Sequence, residues 1–594
     1  MLATADLLPA LHSTFGFSAF RGVQEQVVRR VLGGASMLAV MPTGAGKSLT
    51  YQLPAVLMSG TCVVVSPLIA LMHDQLRSAE ANGIRAASLT SVDVNREETI
   101  ERFRAGALDL LYVAPERASQ SHFRELLGAG NVSLFAIDEA HCVSEWGHDF
   151  RPDYRLLHPL MDAFPSAPRL ALTATADERT RADILTQLGI PEDGLVVAGF
   201  DRPNIRYVIH HRQSAFHQLR DVLKSQPGPG IIYAPTRKKV EDLAERLNEA
   251  TGRTVLPYHA GLPPEVRAAN QARFVASEDM VVVATVAFGM GIDKPDVRFV
   301  AHAGVPKSIE SYYQETGRAG RDGDDATAVM FWAATDFAVA RQRLSEVEDA
   351  RRAGEEARLN ALSVLVETGT CRRAVLLRHF GEEPPAACGN CDNCLEAPGV
   401  ADASVVAQKL LSAAFRTGQS FGIGHLEKVL TGQSDERVIS RGHDQLSVFG
   451  IATEDEARLI KPVARALQAR GSLVANDHGG LMLAGDARAI LKGEVPLQVV
   501  LPPARERRQR GGRARDRVAV NPLGDPLFEA LRALRRELAE AAGLPPYVIF
   551  HDSTLREMAQ ARPANLAALG EIGGVGARKL EAYGEAFLAA IRQW

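Results

Sequence analysis

The residues that most constrain this chain are Met41-Pro42-Thr43-Gly44-Ala45-Gly46-Lys47-Ser48. The apolar run Met37 to Val40 leads into them, and Leu49-Thr50-Tyr51-Gln52-Leu53-Pro54 follows. A strand that turns on glycine into a helix gathers several backbone N–H groups around one anion. Read this way, Thr43, Gly44, Gly46, Lys47 and Ser48 are expected to bind the phosphates of a nucleotide. Lys47 would reach the β- and γ-phosphates, and the Ser48 hydroxyl would hold magnesium. Met41 stands where the general pattern has its first glycine. A glycine-rich turn with no ligand has much the same local sequence, so this motif alone does not decide the matter.

A second motif, Ile137-Asp138-Glu139-Ala140-His141, does. The apolar run Val132 to Ala136 precedes it, which puts two carboxylates at the C-terminal end of a strand. Asp138 suits a water-mediated contact to the same magnesium, and Glu139 suits positioning of the attacking water. The two motifs together predict an NTP-hydrolysing site. Cys62 to Leu68, Leu108 to Val113 and Arg169 to Leu172 read as further strands between helical stretches. That alternation predicts a doubly wound α/β domain, with ligands at the strands' carboxyl ends. Thr173-Ala174-Thr175 closes one strand, and its hydroxyls either link the nucleotide site to a second ligand or serve as turn chemistry.

Ahead of the first motif stand Phe17, Arg21 and Gln24. A glutamine amide can pair with the adenine edge while an aromatic ring or guanidinium stacks on its face, with ordinary packing as the alternative. After the acidic motif comes Cys142 to Tyr154, which contains Trp146, His148, Phe150 and Arg151. Aromatics with a cation in such a segment suit base stacking, against a small satellite core. A second α/β pattern begins near Arg206, with strands at Ile231 to Ala234 and Met280 to Thr285 and no phosphate loop of its own. In Gln314-Glu315-Thr316-Gly317-Arg318-Ala319-Gly320-Arg321, two arginines three apart are expected on one helix face. A phosphate sensor and an arginine finger, completing the first domain's site across a cleft, is the role that suits them.

At 594 residues the chain exceeds what one core can bury. Its net charge of −4 excludes a general polycation, so nucleic-acid contact must fall to local basic patches. No run approaches a membrane span and no cationic-then-apolar leader opens the chain, so the cytoplasm is expected. Cys371, Cys388, Cys391 and Cys394 have C-x16-C-x2-C-x2-C spacing. Four thiolates make a closed, structural zinc site, with an iron–sulfur cluster as runner-up and disulfides disfavoured. Further on, Val405 to Phe415 and Lys461 to Gln468 read as helices and Leu473 to Leu483 as a hairpin, a winged-helix pattern. The hairpin tip carries His478 and no aromatic wedge. Seven arginines between Pro502 and Val518 form a basic linker. The final stretch is helical, and the glycine turn Ile572 to Lys579 feeds a helix N-terminus suited to a DNA phosphate. Nothing in the nucleotide site is expected from beyond Pro496.

The order of the phosphate loop, Asp-Glu-Ala-His, Thr-Ala-Thr and Gln-x-x-Gly-Arg-x-x-Arg resembles that of superfamily-two helicases. Trp146-Gly147-His148-Asp149-Phe150-Arg151-Pro152 and Phe288-Gly289-Met290-Gly291-Ile292 are similar to the RecQ family of DNA helicases. The likeness runs over nearly the whole chain and is strongest from Phe17 to Cys394. It implies an α/β fold of two tandem RecA-like doubly wound domains (1–205 and 206–340). A zinc-binding helical module (341–400), a winged-helix domain (401–500), a linker (501–521) and a small all-α HRDC-like domain (522–594) would follow. It further implies that the nucleotide is ATP, with Lys47, Asp138, Glu139, Arg318 and Arg321 as catalytic, Phe17, Arg21, Gln24, Gln314 and the phosphate-loop residues as ATP contacts, and Ser48 with Asp138 on magnesium. Trp146, His148, Phe150, Arg151, Arg441, His443 and Lys579 would meet DNA. The implied activity is ATP-dependent 3′–5′ unwinding of single-stranded and forked or branched DNA in recombination, repair, replication and the SOS response. The implied setting is a bacterial-type cytoplasm and nucleoid, with a single-strand-binding protein as one candidate partner. An RNA helicase or nucleic-acid-stimulated remodelling ATPase would share the motor. A scaffold with a dead motor is disfavoured because Lys47, Asp138, Glu139 and Arg321 are all present.

Overall fold

The computed structural model describes residues 7–67, 69–90, 93, 95–145, 150–288, 294–344, 349–476, 480–500 and 525–594. Trp146, His148, residues 289–293, His478 and the arginine cluster of the linker lie outside the described residues.

Among the described residues the first sheet has seven strands: β1 Met37–Val40, β2 Thr61–Val65, β3 Ala86–Leu89, β4 Leu110–Val113, β5 Val132–Ile137, β6 Arg169–Thr173 and β7 Leu195–Val197. Their order is β3-β4-β2-β5-β6-β1-β7, and every pairing is parallel. The runs are apolar throughout because both faces are covered. In β1 and β2, Leu38, Val40, Val63 and Val65 enter one core, while Met37, Ala39, Cys62 and Val64 enter the other. That alternation is the two-residue period of a strand. The order also fixes the site, since β6 lies between β1 and β5. The phosphate loop after β1 and the carboxylates after β5 therefore flank Thr173 at the end of β6.

Among the described residues the second sheet has six strands: β8 Ile205–His211, β9 Gly230–Tyr233, β10 Val255–Tyr258, β11 Val281–Ala284, β12 Phe299–His302 and β13 Ala326–Trp332. They run in the order β10-β11-β9-β12-β13-β8, again all parallel. The helix Arg372–His379, which follows the first of the four clustered cysteines, packs back on this domain. Phe380, at its end, stacks 4.7 Å from Phe200 and lies 4.9 Å from Tyr313. One core thus runs from the first sheet through the second domain to the cysteine module.

Helices Ser404–Arg416, Ile423–Thr431, Glu436–Ser440 and Glu454–Ala469 precede the antiparallel pair Leu473–Ala475 and Leu481–Leu483, which is a winged-helix arrangement. The last helix begins at Glu454 rather than Lys461. Thr453 and Glu456 form a capping box there, and the helix continues through Pro462. The C-terminal unit, from Pro526–Ala542 to Ala577–Arg592, is helical throughout its described residues. No helix among the described residues is long and apolar enough to cross a membrane.

Candidate nucleotide site and its surroundings

Gly44 and Gly46 adopt φ of +86° and +71°, conformations that suit glycine, and so let the loop after β1 turn tightly. A cavity of about 230 Å³ opens above it. Thr43, Gly44, Gly46, Lys47 and Ser48 line one side, and Asp138 and Glu139 another. Gln314, Arg318 and Arg321 of the second domain face them. Lys47 Nζ donates to Met41 O at 3.2 Å, so the residue in place of the expected glycine serves the site through its carbonyl.

Glu139 holds φ at +49°, a conformation that costs a side chain of this type on the order of 1–3 kcal/mol and that functional sites store. Behind it Tyr154 donates its hydroxyl hydrogen to Asp138 O at 2.9 Å. His141 Nδ1 lies 3.0 Å from Thr173 Oγ1 and 3.3 Å from Glu139 Oε2. Burial, with the charges of Lys47 and Arg151, pushes the imidazole down to about 3, so it is neutral. Gln314 Nε2 donates to Thr175 Oγ1 at 3.2 Å. The threonines closing β6 therefore connect the carboxylate motif to the second domain.

The arginines do not share a helix face as expected. The helix Ile309–Thr316 ends before them, at Gly317, and Arg318 and Arg321 sit in the following turn, where Gly320 takes φ +56°. Gly317 is the C-cap of that helix, and the turn that follows brings both side chains to the cavity. Arg318 Nε is buried there without a hydrogen-bond partner among the described residues. An unsatisfied guanidinium donor opposite a glycine cradle fits a phosphate group. Ser48 with Asp138 fits magnesium by donor type. Buried His302 holds the helix from below, its Nε2 2.6 Å from Glu315 Oε2.

Phe17 is half-buried, stacked with Phe15 at 6.5 Å, and Arg21 is exposed. Gln24 is buried, and its amide is engaged at both ends. Nε2 donates to Ala45 O at 2.8 Å and Gly46 O at 3.3 Å, while Oε1 accepts from Arg21 N at 2.9 Å. Its contact in this structure is the phosphate loop.

The cysteine Sγ atoms converge within 4.8 Å of one another, with Cys388 to Cys394 at 3.9 Å and Cys371 to Cys391 at 4.0 Å. Zn–S bonds of about 2.3 Å in a tetrahedron require sulfurs about 3.8 Å apart, so the donor set fits zinc. Cys371 also caps the helix Arg372–His379, its Sγ accepting from Ala374 N.

Of the expected DNA contacts, Phe150 lies under Arg155, whose Cζ is 5.1 Å from the ring centre, and Arg151 Nη1 donates to Pro67 O at 3.0 Å. Arg441 is exposed on the winged-helix domain. His443 is not. It is buried, edge-on to Phe421, with Nδ1 2.8 Å from His425 Nε2, so it supports that surface from beneath. The glycine turn before Lys579 is covered as well. Gly574 N donates to Gly16 O at 2.9 Å, and a Cβ on Gly16 would sit 2.5 Å from Val575 backbone. The first domain thus occupies the turn meant for a phosphate, and burial lowers the Lys579 amine to about 8.

Sequence reasoning also missed that the C-terminal unit docks on the motor. Glu278 accepts from Arg532, Arg535 and Arg536, and His551 lines the nucleotide cavity, contrary to the expectation that nothing beyond Pro496 reaches it. No linear signal marks these partners, which lie more than 250 positions apart for Glu278.

A glycine phosphate loop and an Asp-Glu pair on one parallel sheet, facing arginines from a second, define a helicase of the two-domain RecA-like class. Family profiles match in order: DEAD/DEAH box helicase at residues 21–184, helicase conserved C-terminal domain at 214–323, RecQ zinc-binding at 334–395, RQC domain at 397–508 and HRDC domain at 525–591. An ATP-dependent DNA helicase RecQ of Haemophilus influenzae is 42% identical over 99% of this chain and 96% of its own length. A Bacillus subtilis protein of the same name is 37% identical over 98% of this chain and 97% of its own. The chain belongs to the RecQ family of ATP-dependent DNA helicases.

Proposed function

We propose that this protein hydrolyses ATP to move 3′ to 5′ along single-stranded DNA and to unwind forked or branched duplexes ahead of it. The observation that carries the reading is Arg318 and Arg321 facing Lys47, Asp138 and Glu139 across one cavity. Phosphates bind the loop N–H groups and Lys47. Ser48 and Asp138 would hold magnesium, which would supply neutralisation of phosphate charge. Glu139 orients and deprotonates the attacking water, while Arg321 meets the charge that develops on the γ-phosphoryl group and Arg318 senses it. Phe17 and Arg21 hold adenine, and Gln24 keeps the loop in shape.

The sites lie between domains, so hydrolysis and release would alternate closure and opening of the cleft. Gln314 on Thr175 would pass that movement toward the Trp146–Arg151 segment, which would hold single-stranded bases. Arg441 would contact duplex phosphates, with His443 bracing the surface. Zinc would hold the cysteine module together, and a cytoplasmic setting would keep its four thiolates reduced for the metal. The test is ATP turnover without nucleic acid, with single-stranded DNA and with RNA, together with unwinding of 3′- and 5′-tailed duplexes. The reading requires DNA to stimulate turnover above RNA and the 3′ tail to be the productive one.

A further inference from the structure

The segment joining the two sheets, residues 198–204, contains Asp201-Arg202-Pro203-Asn204. Arg202 reaches from it to the phosphate loop and meets carbonyls of both domains. Nη1 donates to Thr43 O at 2.5 Å and Gly317 O at 3.3 Å. Nη2 donates to Ala319 O at 2.9 Å and Gly320 O at 2.8 Å. Thr43 belongs to the phosphate loop. The other acceptors surround Arg318 and lead into Arg321.

The two loops meet where Arg202 grips them. A Cβ on Gly44 would lie 3.2 Å from Arg202 Nη1 and 3.3 Å from Arg321 Cγ, and one on Gly317 would lie 3.2 Å from Thr43 Cβ. Side chains there would crowd the loops apart. Neighbouring Asn204 offers a contrast, because its Nδ2 donates to Gly320 O and Asp324 O, both within the second domain. Only the planar, five-donor fork of arginine can serve several carbonyls on both sides at once.

We propose that Arg202 is a positioning residue that sets the separation between the phosphate loop and the arginine turn. Arg321 reaches the γ-phosphate only while Arg202 holds both loops. Arg202 touches no reacting atom and acts through the carbonyls. The proposal rests on the cavity being the ATP site.

The experiment compares full-length Arg202→Ala, Arg202→Lys and Asn204→Ala, measuring DNA-stimulated ATP turnover as kcat and KM and the affinity for a fluorescent, non-hydrolysable ATP analogue. A misplacement of about 1 Å costs on the order of 100-fold in rate. Both Arg202 variants should therefore lose kcat by roughly that factor, with KM and analogue affinity within about twofold of the parent. Lysine returns the charge but not the fork, so it should not rescue. Asn204→Ala should keep kcat within about twofold. Normal kcat in Arg202→Ala, rescue by lysine, an equal loss in Asn204→Ala, or a loss confined to KM and affinity would each overturn the proposal. Failure of the parent protein to bind the analogue would overturn the ATP-site reading instead, and the two failures are distinct.

Discussion

Arg556 and Asp324 form a two-point ion pair, Nη1 and Nη2 each 2.6 Å from a carboxylate oxygen, across 232 positions of chain. Asp324 follows the turn that carries Arg318 and Arg321, and Arg556 lies in the C-terminal helical unit. The pair therefore fastens that unit next to the arginine turn. Glu278, a second anchor, faces three arginines of the same unit.

Glu278→Ala with Asp324→Ala should release the C-terminal unit. Breaking a buried pair from one side costs on the order of 3 kcal/mol, while the half-exposed Arg556 pair contributes about 0–1 kcal/mol. Small-angle scattering should record a larger radius of gyration for the double variant. An unchanged scattering curve would contradict the docked arrangement.

Lys47→Ala should abolish turnover without changing the fold, since the amine lies on the cavity wall, where it donates to the Met41 carbonyl. Glu139→Gln should retain ATP-analogue affinity and lose turnover by about 10²–10³-fold. Normal rates in both variants would remove the assignment.

Cys391→Ser should leave an open metal position. Metal-binding energy in such modules is folding energy, on the order of 10 kcal/mol, and the Phe380 stack on Phe200 and Tyr313 depends on the neighbouring helix. Bound zinc should fall, and protease should cut near residues 371–394. A stable variant with the parent's zinc content would refute the ligand set.

Neutral, buried His141 gives a pH dependence of definite sign. Its folded value of about 3 lies below the unfolded value near 6.5, so only the unfolded chain takes up its proton in the interval between them. Its contribution is full above about pH 6.5 and declines by up to about 1.4 kcal/mol per pH unit as pH falls toward 3. The melting temperature of His141→Gln should fall less steeply between pH 7 and 5 than that of the parent. Parallel slopes would show that His141 does not titrate on unfolding.

The parts of the site legible in the sequence are those that one strand and its turn build alone: the glycine loop, Asp138-Glu139 and the clustered cysteines. Local chemistry determines them, so spacing reveals them. The arginine turn was legible in composition but not in conformation, because the helix stops at Gly317, a point that the side-chain spacing does not show. Arg202, Glu278 and His551 were invisible for a different reason. Each acquires its meaning from groups brought near by tertiary packing, and nothing adjacent in the chain records the partner. His443 shows the converse limit, since spacing gives no sign that this polar residue of a recognition-like segment packs on Phe421 beneath the surface.

The most direct measurement is single-stranded-DNA-stimulated ATP turnover by the full-length protein and by Arg321→Ala, read alongside unwinding of a 3′-tailed duplex. An arginine finger contributes about 10³–10⁵-fold in rate. DNA should therefore raise turnover in the parent, and the variant should lose turnover by about that factor and unwinding with it. Turnover indifferent to DNA, or equal in parent and variant, would contradict a nucleotide site completed across the two domains.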